Sequence, residues 1–184
     1  MFLTAHNRTP LNWVVVLTTL VLLGAASHTS AQIQYGVSGL RVGQGNSMTR
    51  PASRSFFLAL PMYELARGSY AVLVDPCVSI SDSRGTIQFI VGIDPKIQIK
   101  LPTDSPWLLL ETGVGLNMSS FTEIGGRQLG ESFLFSPTAS LGLRTNNFLT
   151  VFYTFKHFSN ASLFQHNDGV NYQYIVFSVN FGGL

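Results

Sequence analysis

The chain has 184 residues, enough for one domain, and only 11% of them carry a charged side chain. Soluble domains carry roughly 25%, so the composition argues against an ordinary water-exposed surface. A formal net charge of +2 gives no basic surface for nucleic acid, and the single Cys77 excludes an internal disulfide. The sequence has no zinc-binding spacing and no phosphate-binding glycine loop, so we predict neither a metal nor a cofactor.

The N-terminus carries an apolar run from residue 13 to residue 26. The run is shorter than the roughly 20 residues of a membrane-spanning helix. Arg8 precedes it and the small residues Thr29-Ser30-Ala31 follow, which is typical of a secretory signal. We therefore predict a signal peptide over 1–31, cleaved after residue 31 or alternatively residue 26, and a mature domain over 32–184. A retained N-terminal anchor is the less favoured alternative.

Beyond the signal, apolar residues alternate with polar ones at a period of two, which predicts β-strands. In chain order, the predicted strands lie near 33–43, 55–65, 70–80, 86–100, 107–117, 131–144, 147–159 and 170–181. Several are long enough for the roughly 9–11 residues that a strand needs to span a bilayer.

The two faces of these strands differ in a way that predicts which one meets lipid. The polar faces hold Gln, Ser, Thr, Asn and Gly, whereas the apolar faces hold more Phe, Leu and Ile than a narrow lumen could take. We predict an all-β, eight-stranded antiparallel transmembrane β-barrel of the bacterial outer membrane. A soluble lipid-binding barrel with its apolar residues inside is the alternative.

The connections between strands predict the topology. With both termini in the periplasm, the connections at 44–54, 81–85, 119–130 and 160–169 face outside, and the turns at 66–69, 101–106 and 145–146 face the periplasm. Four charged residues are expected to pair inside the lumen: Asp94, Glu111, Arg144 and Lys156. Four aromatic residues are expected in interfacial girdles: Phe148, Tyr153, Tyr172 and Tyr174.

Two polar residues near the end of the seventh strand are candidates for catalysis. His157 and Ser159 are two residues apart, so they share one face of the strand, and that face continues the apolar, lipid-facing stripe. On the eighth strand, Asn171 shares parity with apolar Ile175 and Phe177. A hydroxyl, an imidazole and an amide on one surface provide a nucleophile, a base and an orienting group.

These motifs resemble one family. His-Phe-Ser-Asn-Ala at 157–161, Asn-Asp-Gly-Val-Asn at 167–171 and the stretch 126–133 resemble the lipid A 3-O-deacylases of the PagL type, over about residues 107–184. The resemblance implies an outer-membrane barrel that hydrolyses the acyl ester at position 3 of lipid A, so that lipopolysaccharide and outer-membrane lipid are its partners.

The resemblance also implies roles for single residues. Ser159 would be the nucleophile and His157 the general base, with backbone N–H groups near Asn160 and Ser162 forming the oxyanion hole. In the family pattern a glutamate is the third member, and this chain has Asn171 at that spacing. A small residue, often glycine, commonly stands in the family at the position of Ser162.

The turn at 167–169 offers a second source for the missing carboxylate. Asp168 is the alternative to Asn171, although Asn167 and Asp168 are first of all turn-forming residues. The phosphates of lipid A need cations, for which Arg50, Arg127 and Lys156 are candidates.

Two other functions compatible with a barrel stay open at this point. The first is a non-enzymatic structural or adhesive barrel, and the second is an outer-membrane phospholipase. A homodimer is an open alternative to a monomer.

Overall fold

The computed structural model describes residues 32–48, 53–83, 85–101, 107–124, 126–164 and 166–181. The predicted signal peptide and Arg50 lie outside the described residues. Within those ranges no helix has the length and apolar character to cross a membrane. The structure consists of strands: β1 (Gln32–Tyr35), β2 (Gly39–Ser47), β3 (Arg54–Ala59), β4 (Tyr63–Arg67), β5 (Tyr70–Ser83), β6 (Thr86–Lys100), β7 (Trp107–Ser119), β8 (Glu123–Ile124), β9 (Arg127–Gln128), β10 (Phe133–Arg144), β11 (Leu149–Phe158) and β12 (Val170–Asn180).

The strands close into a barrel of eight antiparallel positions. The wall runs β2–β3–β5–β6–β7–β10–β11–β12, and β12 pairs with β2 to complete the ring. β1 continues the line of β2 and β4 continues that of β3, because β1 pairs with β4 and β4 pairs with β5. The predicted fold class is therefore confirmed.

The connections fall at the two ends of the barrel as predicted, although their bounds differ in detail. β2 extends to Ser47, so the predicted 44–54 connection is shorter than expected. The 119–130 connection contains an unpredicted hairpin, in which β8 pairs with β9. Ile124 and Leu129 from this segment are fully buried in the core. The hairpin therefore packs into the end of the barrel that the sequence assigns to the outside.

The predicted two-residue period is visible in the side chains. Alternate positions of the eight wall strands are exposed and mostly apolar, including Phe56, Leu58, Ile87, Phe89, Val91, Ile93, Leu116, Met118, Leu141, Leu143, Tyr153, Ile175 and Phe177. The intervening positions point into the lumen. Because an apolar exterior belongs to a barrel in lipid, the soluble alternative is excluded.

The lumen holds buried ion pairs. Lys156 Nζ lies 2.6 Å from Asp94 Oδ2, so these two residues pair inside the lumen as expected. Glu111 binds Arg41 through two hydrogen bonds of 2.8 and 2.9 Å, a bidentate pair that the sequence did not predict. The neighbouring pair, Lys96 with Asp75 at 2.8 Å, was not predicted either.

The prediction that Arg144 pairs with a carboxylate is wrong. Within the described residues its guanidinium makes no ion pair, and it lies 5.7 Å from the centre of the Trp107 ring. Arg144 pairs with Trp107 across β10 and β7, at the end of the barrel away from the hairpin.

The girdle prediction is wrong for two of its four aromatic residues. Tyr172 and Tyr174 occupy positions of β12 that face the lumen, and both are fully buried. The Tyr172 hydroxyl lies 2.7 Å from the Ser53 hydroxyl, and that of Tyr174 donates to Ser55 at 2.9 Å. Phe148 and Tyr153 are about half exposed, as expected of side chains outside the lumen.

The Arg41–Glu111 pair should stabilise the barrel strongly against unfolding. Glu111→Gln removes the bidentate carboxylate from the buried guanidinium and leaves it only Asp75 Oδ2, 3.4 Å from Nε. Breaking a buried pair typically costs about 3–5 kcal/mol. We expect the free energy of unfolding to fall by about 3 kcal/mol, measured by urea unfolding in lipid vesicles and read from heat-modifiable gel mobility. Glu131→Gln, at an exposed glutamate, is the control and should unfold like the wild type. Equal stability of the two variants would contradict the prediction.

Candidate active site

His157 and Asn171 face each other across two neighbouring strands. They are direct partners in the antiparallel register of β11 and β12, and both are partly exposed. His157 Nδ1 lies 2.5 Å from Asn171 Oδ1. The contact arises because antiparallel pairing places opposed side chains on the same face, here the outward one.

The hydrogen bond determines what the imidazole can do. A carboxamide oxygen only accepts, so the bond requires that Nδ1 carries the proton and donates it. In that tautomer the lone pair of Nε2 is free to accept a proton from a nucleophile. His157 is therefore arranged as a base whose orienting group is neutral.

Ser159 lies just beyond the end of β11 on the same face as His157. Its backbone forms an isolated bridge with Phe135 of β10, through hydrogen bonds of 3.0 and 2.7 Å. The serine is 7% exposed. Among the described residues, no hydrogen bond connects its hydroxyl to the imidazole. Its backbone position is nonetheless fixed by the bridge.

The chain leaves Ser159 through a strained loop. Ala161 and Ser162 have φ values of 55° and 61°, a left-handed conformation that non-glycine residues rarely adopt. In the described part of the chain, His166 is the third non-glycine residue of this kind, and it lies in the same loop. Such strain persists only where surrounding contacts hold it, and it is concentrated at functional sites.

The buried side chain of Asn160 holds this loop. Its amide nitrogen donates to the carbonyls of Leu129 and His166 at 2.7 and 3.1 Å, and its oxygen accepts from the Ser162 N–H at 2.8 Å. The Asn160 N–H donates to Asn167 Oδ1 at 3.0 Å. Both predicted oxyanion donors, the N–H groups of Asn160 and Ser162, thus already have acceptors.

Asp168 does not make the contact with His157 that the sequence analysis considered. Its carboxylate accepts a hydrogen bond of 3.0 Å from the Gln128 N–H of the β8–β9 hairpin. In the described residues it makes no hydrogen bond with His157, whose partner is Asn171. Asp168 therefore joins two loops here.

The cationic side chains proposed for phosphate binding lie in different environments. Lys156 is 2% exposed inside the lumen, so its predicted role toward phosphate is wrong. Its parity on β11 is opposite to that of His157, which explains the burial. Arg127 is partly exposed at the outer loops and binds main-chain carbonyls. No group of three or more His, Cys, Asp or Glu in the described ranges is arranged to hold a metal ion.

The comparison with protein families gives one match. The family described as "Lipid A 3-O-deacylase (PagL)" matches residues 66–180, more than half of the chain. The chain belongs to the PagL family. The family resemblance and the outer-membrane location predicted from the sequence are confirmed.

Solved structures agree on the fold. The crystal structure of the outer membrane enzyme PagL has a TM-score of 0.66 at 22% identity, covering 77% of this chain and 99% of that one. Neisserial surface protein A has a TM-score of 0.57 at 12% identity, covering 83% of this chain and all of that one. No curated protein matches in sequence. At these identities the structural likeness supports the fold alone.

The structure adds a site residue of this PagL family member that the sequence did not single out. Gly169 has a φ of +61°, and a Cβ there would lie 2.6 Å from His157 Cε1 and 3.1 Å from Nε2. Its backbone is thus packed against the Cε1–Nε2 edge of the imidazole. In the sequence the Asp-Gly pair indicates only a turn, because the contact depends on the fold of the whole loop.

Gly169→Ala should lower activity by displacing the imidazole. We expect at least about a tenfold fall in lipid A deacylation, since small displacements of catalytic groups are costly. The matched control is Gly68→Ala, because Gly68 has a φ of +59° with no atom within 4 Å of the added Cβ. Both variants carry the same backbone strain and only one meets His157. Equal activities, measured on folded barrels in detergent, would refute the role of the contact.

Proposed function

We propose that this PagL family member is an esterase of the outer membrane that removes the 3-O-linked acyl chain of lipid A. Ser159 is the nucleophile, His157 the general base and Asn171 the orienting residue, and the reaction requires no metal or cofactor. The observation that supports this best is the His157–Asn171 hydrogen bond on the outward face, two residues from Ser159, in a chain of this family.

The proposed reaction has two acyl-transfer steps. Ser159 Oγ attacks the ester carbonyl carbon while His157 Nε2 takes the hydroxyl proton, and the tetrahedral intermediate then expels the sugar oxygen, which receives that proton. In the second step, water attacks the acyl-enzyme and loses a proton to Nε2. The second tetrahedral intermediate then expels Ser159 Oγ, which receives that proton, and releases the fatty acid. The serine and imidazole need to come within hydrogen-bond reach, a contact that often tightens only when substrate binds.

Oxyanion stabilisation near Asn160 and Ser162 stays a prediction. Their N–H groups donate to Asn167 Oδ1 and Asn160 Oδ1. To serve the intermediate, they would have to exchange those amide oxygens for the substrate oxyanion. An oxyanion is the stronger acceptor because it is charged.

The substrate's acyl chains match the wall around the site. Tyr153 and Phe155 of β11 share the outward face with His157 and are exposed. Acyl chains of lipid A in the outer leaflet would lie against these side chains. A site with this orientation favours a membrane lipid over a water-soluble ester.

Ser159→Ala should abolish deacylation. In cells that express the wild-type protein, we expect lipid A to lose the mass of one hydroxyacyl chain, and the shift to vanish with Ser159→Ala. Mass spectrometry of extracted lipid A measures this, with Ser69→Ala in an exposed turn as the matched control. Unchanged lipid A in wild-type cells would favour a non-enzymatic barrel. Fatty acid release from phospholipid vesicles alone would favour a phospholipase.

Replacing the neutral orienting group with a carboxylate should accelerate turnover. Asn171→Asp keeps the size of the side chain and adds a charge that stabilises the imidazolium formed in the reaction. In a serine protease, replacing the aspartate of the catalytic triad with asparagine costs about 10⁴ in turnover, largely because the imidazole then holds the wrong tautomer. Asn171 already accepts from Nδ1–H, so only the charge is gained, and we expect kcat to rise by about tenfold.

The control for this substitution removes the acceptor. Asn171→Leu should lower kcat below the wild type, because no group then fixes the Nδ1–H tautomer. We expect kcat to fall in the order Asn171→Asp, wild type, Asn171→Leu. The measurement is made on purified lipid A in detergent. If Asn171→Leu were as fast as the wild type, Asn171 would not be the orienting residue. If Asn171→Asp were no faster than the wild type, the missing charge at this position would not limit turnover.

A further inference from the structure

Arg127 binds the loop that contacts His157, although Arg127 precedes His157 by 30 residues in the chain. Its Nε donates to the Gly169 carbonyl and its Nη2 to the Asp168 carbonyl, each at 3.1 Å. Two adjacent carbonyls are thus held by one planar guanidinium. This fork geometry is specific to arginine, because the ammonium of lysine is a point charge.

The rest of the hairpin strand strengthens this attachment. The Gln128 N–H donates to the Asp168 carboxylate at 3.0 Å, and the Asp168 N–H donates to the Gln128 carbonyl at 2.9 Å. The Leu129 carbonyl accepts from the Asn160 side chain at 2.7 Å. With the two bonds from Arg127, five hydrogen bonds join residues 127–129 to the loop that begins after Ser159.

The hairpin that carries Arg127 is itself firmly anchored. Ile124 and Leu129 are fully buried and belong to the same core cluster as Phe158 and Val170. Phe158 and Val170 are the last residue of β11 and the first of β12. The hairpin is therefore fixed to the same strand ends that carry the candidate site, and it provides a rigid support for the loop.

We infer that Arg127 is a positioning residue, which holds the Asp168–Gly169 backbone against the His157 imidazole and so keeps that ring in its hydrogen bond with Asn171. The inference rests on the proposed function, in which His157 is the base. Without the fork, two carbonyls lose their donors and the Gly169 backbone can move away from Cε1. The ring can then rotate away from Asn171.

A phosphate-binding role for Arg127 makes a different prediction, since it depends on charge. Lysine retains the charge and can bind a phosphate, but it cannot donate along two fixed directions to adjacent carbonyls. The substitutions Arg127→Lys and Arg127→Gln therefore separate the two roles. Arg54, exposed at the start of β3, provides the matched controls Arg54→Lys and Arg54→Gln.

The kinetic experiment measures kcat and KM for all four variants on purified lipid A in detergent. We expect both Arg127 variants to lose about 10- to 100-fold in kcat with KM unchanged, and both Arg54 variants to match the wild type. A wild-type kcat for Arg127→Lys would overturn the inference. So would a rise in KM for Arg127→Gln that lysine restores, since that result assigns Arg127 to phosphate binding.

A second measurement tests the contact without any turnover. After residue 31 the chain has two histidines, His157 and His166, so a His166→Gln background leaves one imidazole signal in the mature barrel. We expect its ¹³Cε1–¹H resonance to shift or broaden with Arg127→Lys and to stay fixed with Arg54→Lys. An unchanged resonance would overturn the inference. If the wild type failed to deacylate lipid A, the proposed function would fail while this measurement still decided the contact.

Discussion

In the hydrocarbon core of a bilayer, no water is present to hydrogen-bond a free strand edge. The pairing of β12 with β2 closes the sheet, so that neither of these strands has a free edge. Closure into eight strands leaves only a narrow interior. It also requires that every second residue faces lipid. The placement of charged side chains inside and of a continuous apolar surface outside follows from this requirement.

The narrow interior explains the close pairing of its charges. Arg41 with Glu111, Lys96 with Asp75 and Lys156 with Asp94 place equal numbers of positive and negative groups in contact. Space is limited enough that a Cβ at Gly115 would overlap the Asp94 carboxylate. Small residues facing the lumen therefore make room for these pairs, and the aromatic residues nearer the outer end fill what remains.

The sequence predicts whatever depends on parity alone. His157 and Asn171 lie on the outward face because each shares the period of its strand, and the same reasoning places Lys156 inside. It does not predict partners across the lumen, because these depend on the stagger of strands far apart in sequence. Arg41 and Glu111 meet in this way, and Arg144 finds Trp107 instead of a carboxylate. Tyr172 and Tyr174 had the parity of the lumen, which outweighs the preference of tyrosine for interfaces.

The arrangement of the loops was beyond sequence reasoning for a different reason. The hydrogen bonds of Asn160, Asp168 and Arg127 join segments whose conformations no period describes. Only the folded loops show that an apparent turn glycine touches the imidazole. Composition and motif supply the candidate residues, and tertiary contacts show which groups each of them binds.

Because His157 on β11 and Asn171 on β12 face outward, the substrate concentration that matters for this protein is the one within the membrane. A lipid reaching His157 and Asn171 from the side moves within the plane of one leaflet. Its effective concentration is then a mole fraction, set by the other lipids that compete for the same wall. Occupancy of the site would follow the composition of the leaflet, and it would stay constant when the volume around the membrane is diluted.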